Sequence, residues 1–192
     1  FRYIYIMLKH YLLAIFVLLI ALCKADAQII KANVLHPVFA GGASIAYEFK
    51  SDGSSTTNIY LSGGKKKDFI GIYDAYKFYN LTVEQRFYTT HKKARSEGFF
   101  IAPYAKFMYR NYFRKGVDAG ILFSRPDVEL SGYSIGLGCA AGGQFAFTRH
   151  WLIDCFAGLG MSYYTQKEIS YDNGSSGYPD VRLGVSLGYR VN

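Results

Sequence analysis

From about residue 29 onward, apolar side chains recur at every second position, and the positions between them hold small, polar or charged residues. Tyr133, Ile135, Leu137, Cys139 and Ala141 alternate with Ser134, Gly136, Gly138, Ala140 and Gly142. Near the end of the chain, Val181, Leu183, Val185, Leu187 and Tyr189 alternate with Arg182, Gly184, Ser186, Gly188 and Arg190. A period of two places successive side chains on opposite faces of a strand. Eight segments read this way: 29–36, 43–50, 57–63, 77–88, 98–110, 132–146, 151–164 and 179–191. In the fourth, Phe78, Asn80, Thr82, Glu84 and Arg86 oppose Tyr79, Leu81, Val83, Gln85 and Phe87. In the fifth, Pro103 cannot donate to a ladder, so a bulge or local break is expected there.

The second face is what separates the possible sheets. It is glycine, serine and a few charges, not the Lys/Glu/Thr surface that a water-facing sheet carries. Small residues suit the crowded lumen of a narrow barrel whose other face meets lipid. The expected fold is therefore all-β, a single eight-stranded antiparallel up-and-down transmembrane barrel spanning 28–192. Periodicity alone leaves the inverse arrangement open, a soluble periplasmic, lipocalin-like barrel with the apolar face around a ligand. The connections 64–76, 111–131 and 165–178 read as long loops, and 147–150 as a tight turn. With the first strand starting in the periplasm, the long loops fall outside the cell, the outer-membrane arrangement.

Composition sharpens this picture. Of 192 residues, 51% are apolar, and 18 Tyr and 15 Phe stand against one Trp. Mean hydropathy is only +0.05, as expected when the apolar face is hidden by alternation. Two aromatic girdles are expected. Tyr73, Tyr76, Tyr109, Tyr112, Phe113, Tyr163, Tyr164 and Tyr178 mark the loop end, and Phe87, Tyr88, Phe99, Trp151 and Tyr189 the other. The net charge of +8 is dispersed, its one tight run being Lys65-Lys66-Lys67. Without a base-reading motif this argues for basic loops over an anionic lipid surface and against nucleic acid.

The segment from Met7 has Lys9 and His10, an apolar run from Tyr11 to Leu22, then Ala25-Asp26-Ala27 before Gln28. That order describes a secretory signal peptide cleaved before Gln28. Leu22 is larger than the residue that usually precedes a lipidated cysteine, which argues against lipidation at Cys23. A hairpin turn at 148–150 sets Cys155 opposite Gly143 and Cys139 opposite Leu159. The two sulfurs are then about 13 Å apart along the ladder, too far for a disulfide.

No catalytic, cofactor-binding or metal-binding constellation emerges. His36, His91 and His150 have no partner at a mechanistic spacing, and no metal or phosphate-loop motif is present. The candidate lumen face instead carries eight charges: Glu48, Glu84, Arg86, Lys106, Arg110, Asp154, Arg182 and Arg190. Charges in a narrow barrel must be paired or hydrated. A structural salt-bridged plug is the reading, with Asp154 expected near Arg190 and Glu84 near Lys106 on neighbouring strands.

The chain resembles the small outer-membrane barrels of the OmpA-transmembrane-domain and OmpX type. More closely, it is similar to an uncharacterised barrel family common in Bacteroidetes. The resemblance lies in Lys31-Ala32-Asn33-Val34-Leu35 and Gly132-Tyr133-Ser134-Ile135-Gly136-Leu137-Gly138. It continues in the Trp151–Tyr164 strand and the closing Arg182–Tyr189 strand. It implies an outer-membrane barrel of no known activity and transfers no site residues. The reading is an integral barrel with a structural or surface-interaction role, no enzyme activity and no cofactor, and no open pore, because eight strands are filled by their own side chains. Its partners would be outer-membrane lipid and any surface ligand held by loops 64–76, 111–131 and 165–178. The rival from another class is an outer-membrane lipid-modifying enzyme, with His36 and either Ser162 or Ser134 as its remote pair.

Overall fold

A computed structural model describes residues 29–52, 55–69, 73–89, 96–118, 124–169 and 176–191. The segment read as a signal peptide lies outside them. In chain order the elements are β1 (Ile29–Asn33), α1 (His36–Ala40), β2 (Gly42–Asp52), β3 (Ser55–Phe69), β4 (Tyr73–Tyr88) and β5 (Gly98–Arg114). They continue with β6 (Val117–Asp118), β7 (Ser124–Arg125), β8 (Val128–Ala146), β9 (Trp151–Ile169) and β10 (Gly177–Arg190). Eight of the strands form one closed antiparallel barrel in the order β1-β10-β9-β8-β5-β4-β3-β2. The seam is β1 against β10, with Ile29 opposite Arg190 and Asn33 opposite Ser186. The seam is paired over the five residues of β1, which cover Ser186–Arg190 of β10 on one side and Ile45–Glu48 of β2 on the other. β6 and β7 make a separate two-stranded ribbon in the β5–β8 connection.

Alternation decides which way each side chain points. Leu137, Leu159 and Leu183 are 67%, 70% and 70% exposed, whereas Lys31, Glu48 and Asp154 are 0–1% exposed. Leucines on the outside and charges on the inside invert the order of a water-soluble barrel. The fold is therefore a transmembrane barrel, and the alternative with an apolar ligand cavity is overturned. On β9, outward Trp151 and Tyr163 bracket the apolar run. That stretch rises about 40 Å along the strand and, at a tilt of about 40°, about 30 Å across the bilayer.

Several expectations need correcting. The segments 64–76, 111–131 and 165–178 are only partly loop, because β3 runs to Phe69, β4 starts at Tyr73, β8 starts at Val128 and β9 runs to Ile169. Above the lipid belt, both faces of these hairpins meet water, so hydropathy stops alternating while the ladder continues. Residues 34–41 are neither strand nor simple turn. Asn33 Oδ1 accepts from the N–H groups of Leu35 and His36 at 2.9 and 3.2 Å and ends the strand. Pro37 starts the one-turn helix α1, and Gly41 ends it at φ +62°, a left-handed conformation suited to glycine.

At Pro103 the outcome is the local break and not a bulge. The pairs Glu84–Tyr104 and Phe87–Ile101 keep one register on either side of it, and only the pairs between them are missing. The girdles are also thinner than expected. Tyr76 and Tyr88 are buried in the lumen, and Tyr112, Tyr164 and Tyr178 share its inward parity. The β8–β9 hairpin matches the register expected from a turn at 148–150. Gly143 faces Cys155, Cys139 faces Leu159, and both thiols are free and outward.

The two faces predict opposite tolerances. Leu159→Arg or Leu183→Arg, near mid-belt, should destabilise the inserted barrel by about 2–4 kcal/mol. Urea titration in lipid vesicles, followed by the fluorescence of the single Trp151, should show this as an earlier midpoint. A midpoint equal to wild type would mean that this face is not in lipid.

Candidate functional site

The lumen half nearer the short turns is filled by six charged side chains from five strands. Three are cations, Lys31 (β1), Arg86 (β4) and Arg182 (β10), and three are carboxylates, Glu48 (β2), Glu84 (β4) and Asp154 (β9). Lys31 pairs with Glu48 and, at 2.8 Å, with Asp154. Arg86 spreads its guanidinium over all three carboxylates. Its Nε lies 2.5 Å from Glu84, Nη2 lies 2.9 Å from Asp154, and Nη1 lies 3.4 Å from Glu48. Arg182 closes the set at 3.0 Å from Glu84. The planar fork of Arg86 suits this task, because several donors leave one rigid group in different directions.

Neutral groups complete the cluster. Tyr88 and Thr56 donate hydroxyls to Glu48 at 2.8 and 2.7 Å, and Asn58 donates to Glu84 at 3.2 Å. Arg86 donates to the Tyr60 hydroxyl at 2.6 Å. Gln144 accepts from Lys31 and Arg86 at 2.5 and 3.2 Å, while its own amide donates to Ser96 O at 2.6 Å. Rings cover what remains. Phe100 lies 4.1 Å from the Arg86 guanidinium, and Tyr104 lies 4.5 Å from that of Arg182. Glycines make room for these rings. A Cβ on Gly138 would stand 2.5 Å from the Tyr104 hydroxyl.

The structure places the eight sequence-selected residues in four places. Glu48, Glu84, Arg86, Asp154 and Arg182 meet in the cluster. Lys106 does not reach Glu84. It pairs across the lumen with Asp180 at 2.6 Å, where Tyr104 also donates at 3.1 Å. Arg190 does not reach Asp154 either, because Asp154 stands opposite Ser186 and Arg190 lies four residues further towards the turn. It pairs with Glu97 at 3.0 Å. Arg110 stands apart near the loop end. Among the described residues it has no carboxylate partner. It donates to the Tyr164 hydroxyl and lies 3.7 Å from the Tyr178 ring.

Sequence reasoning missed Lys31, Asp180, Glu97 and Gln144. The signal for Lys31 was present, since it lies between the outward Ile30 and Ala32. Asp180 shares the parity of Arg182 in the same way. Glu97 lies just before β5 starts, where parity says nothing.

Above the cluster a cavity of about 190 Å³ extends towards the loop end. Ser44, Ser62, Asn80, Thr82, Lys106 and Arg182 line it, with His36 and Ala40 of α1 at its rim. It is polar and roomy enough for several waters. Half-burial lowers the pKa of His36, and its Nε2 has no hydrogen-bond partner. No hydrogen bond joins His36 to Ser134 or Ser162. Ser134 is bonded to the Tyr178 hydroxyl at 2.7 Å. The His/Ser pair of the lipid-modifying alternative is therefore not assembled. Among the described residues no group of three His, Cys, Asp or Glu is placed to hold a metal.

Arg86 is the member whose loss matters most. Arg86→Met should leave three buried carboxylates facing two cations and destabilise the barrel by about 3–5 kcal/mol. Adding Glu84→Gln should recover part of that loss in a double-mutant cycle read by urea midpoints. Simple additivity of the two changes would show that they are not coupled.

No curated protein matches the chain. Among solved structures it is similar to the Yersinia pestis outer membrane protein Ail, at 12% identity and TM-score 0.46 over 87% of this chain and 99% of that one. It is also similar to Neisserial surface protein A, at 18% identity and TM-score 0.44 over 86% and 94%. A third is Acinetobacter baumannii CarO2, at 13% identity and TM-score 0.45 over 87% and 99%. The family match is extensive: over residues 11–181 the chain belongs to the family described as "Protein of unknown function (DUF3575)".

Proposed function

We propose that this protein is an integral outer-membrane barrel with a structural or surface-interaction role and no open pore. The observation that carries the reading is the pairing of a leucine-rich exterior with a lumen filled by ion pairs and rings. The charge cluster acts as a structural plug, and any surface ligand is met at the loop end. A barrel of eight strands has room inside for little beyond its own side chains. On this reading the signal peptide is cleaved before Gln28, the short turns face the periplasm, and the hairpins ending near 69, 114 and 169 face outward. The lipid of the bilayer is its first partner, and it is not an enzyme.

Two measurements on the full chain test this. Unboiled protein from the outer-membrane fraction should migrate faster on a denaturing gel than boiled protein. The purified barrel in planar bilayers should show no sustained channel conductance. Recovery in the soluble periplasmic fraction would overturn the membrane reading, and steady conductance would overturn the plug.

A further inference from the structure

The three consecutive lysines do not act as one patch. Strand alternation turns Lys66 away from its neighbours, and its ammonium donates to the carbonyls of Val38 and Phe39 at the end of α1, at 2.7 and 3.1 Å. Lys65 and Lys67 are exposed on the outward face of β3. Lys77 of β4 is exposed on the same face and stands directly opposite Lys65. Like charges directly opposed across two strands repel. Among the described residues none of the three ammonium groups has a carboxylate partner. The Lys77 ammonium lies 5.4 Å from the centre of the Tyr79 ring.

Directly beneath the lysines the outer wall is hollowed. Gly63 and Tyr79 form the cross-strand pair two residues below Lys65 and Lys77, about 7 Å along the strands. From that level an open groove of about 870 Å³ runs between the strands, lined chiefly by Ile45, Leu61, Tyr79, Leu81, Phe107 and Tyr133. Ala43 and Gly63, paired on β2 and β3, line its loop-side end, and the Tyr79 ring lies over Gly63. Tyr79 and Tyr133 are outward aromatics at the loop-side border of the belt, where rings mark the headgroup level. Basic groups at that level above an apolar channel match the two halves of one anionic amphiphile.

We propose that this face binds a lipid carrying more than one phosphate, its phosphates on Lys65, Lys67 and Lys77 and an acyl chain in the groove below. Three unpartnered ammonium groups exceed what one phosphate needs, which favours a bisphosphorylated glycolipid of the leaflet at the loop end. The proposal rests on the outer-membrane reading above.

The test uses full-length protein in detergent, first checked by its heat-modifiable band, so that failure of the barrel reading shows before any lipid is added. Native mass spectrometry then titrates diphosphoryl lipid A, its monophosphoryl form and phosphatidylcholine. Wild type should retain the diphosphoryl lipid at least tenfold more tightly than K65Q/K67Q/K77Q, with the monophosphoryl form between. The single variant K77Q should lose part of that preference, and Ala43→Trp, which fills the groove, should weaken binding with the lysines intact. Equal retention by wild type and the triple variant would overturn the proposal. Equal retention of phosphatidylcholine and diphosphoryl lipid A would do so too, leaving only a non-selective groove.

Discussion

Arg86 cannot leave the lumen, and the rest of the interior is arranged around that fact. Its side chain is fully buried at mid-barrel, where an unpaired guanidinium would be intolerable. Three carboxylates on three strands answer it, two further cations balance them, and tyrosines, an asparagine, a threonine and a glutamine add hydrogen bonds, leaving Asp154 Oδ1 and Asn58 Oδ1 without a partner among the described residues. Apart from Arg86–Glu84, which lie two residues apart on β4, the ion pairs of the cluster join different strands. Lys31 therefore ties the first strand to β2 and β9, Arg182 ties the last strand to β4, and the cluster spans both sides of the seam. A barrel in lipid gains little from burying apolar side chains on its outer face, since the surroundings are equally apolar. Directional contacts inside are what distinguish this closed register from a slipped one.

The glycines follow from the same crowding. Tyr104, Phe100 and Phe156 fill the lumen beside the charges, and their rings lie over positions without side chains. A Cβ on Gly142 would stand 2.6 Å from Phe100, and one on Gly184 would stand 2.4 Å from Phe156. The small inward residues of β8 and the rings of β5 and β9 are thus two halves of one packing arrangement. This is why the second face of these strands reads as glycine and serine where a solvated sheet would read as lysine and threonine.

That face was legible because alternation depends only on strand geometry. The inward parity of Glu84, Arg86, Asp154 and Arg182 follows from it, and so does the Gly143–Cys155 register, given one tight turn. The partner of each charge was not legible, because pairs such as Lys106–Asp180 reach across the lumen between strands that are not neighbours. Alternation names a face but not a height or a side of the ring. The hairpins above the belt were hidden for another reason. With water on both faces, Gln166, Lys167 and Glu168 follow one another in a continuous strand with no apolar beat. Tyr112, Tyr164 and Tyr178 misled in turn, since tyrosine suits an interface girdle and a lumen equally well, and only parity separates the two uses.

The interior is divided along its length. The half near the short turns is electrically closed, each charge of the cluster answered by another, and it offers nothing to a visitor. The half near the loop end holds the water-sized space under α1, the Lys106–Asp180 pair, and Arg110, which has tyrosine contacts and no carboxylate partner among the described residues. Outside, the same end carries Lys65, Lys67 and Lys77 above the groove, with no ion pair to a carboxylate among the described residues. Charges that stabilise a fold are driven to find partners within it, because an unanswered charge weakens the fold that holds it. Cations left without anions on both sides of one rim are therefore poor candidates for internal support. They are where an anionic partner from outside the chain would lose least by binding.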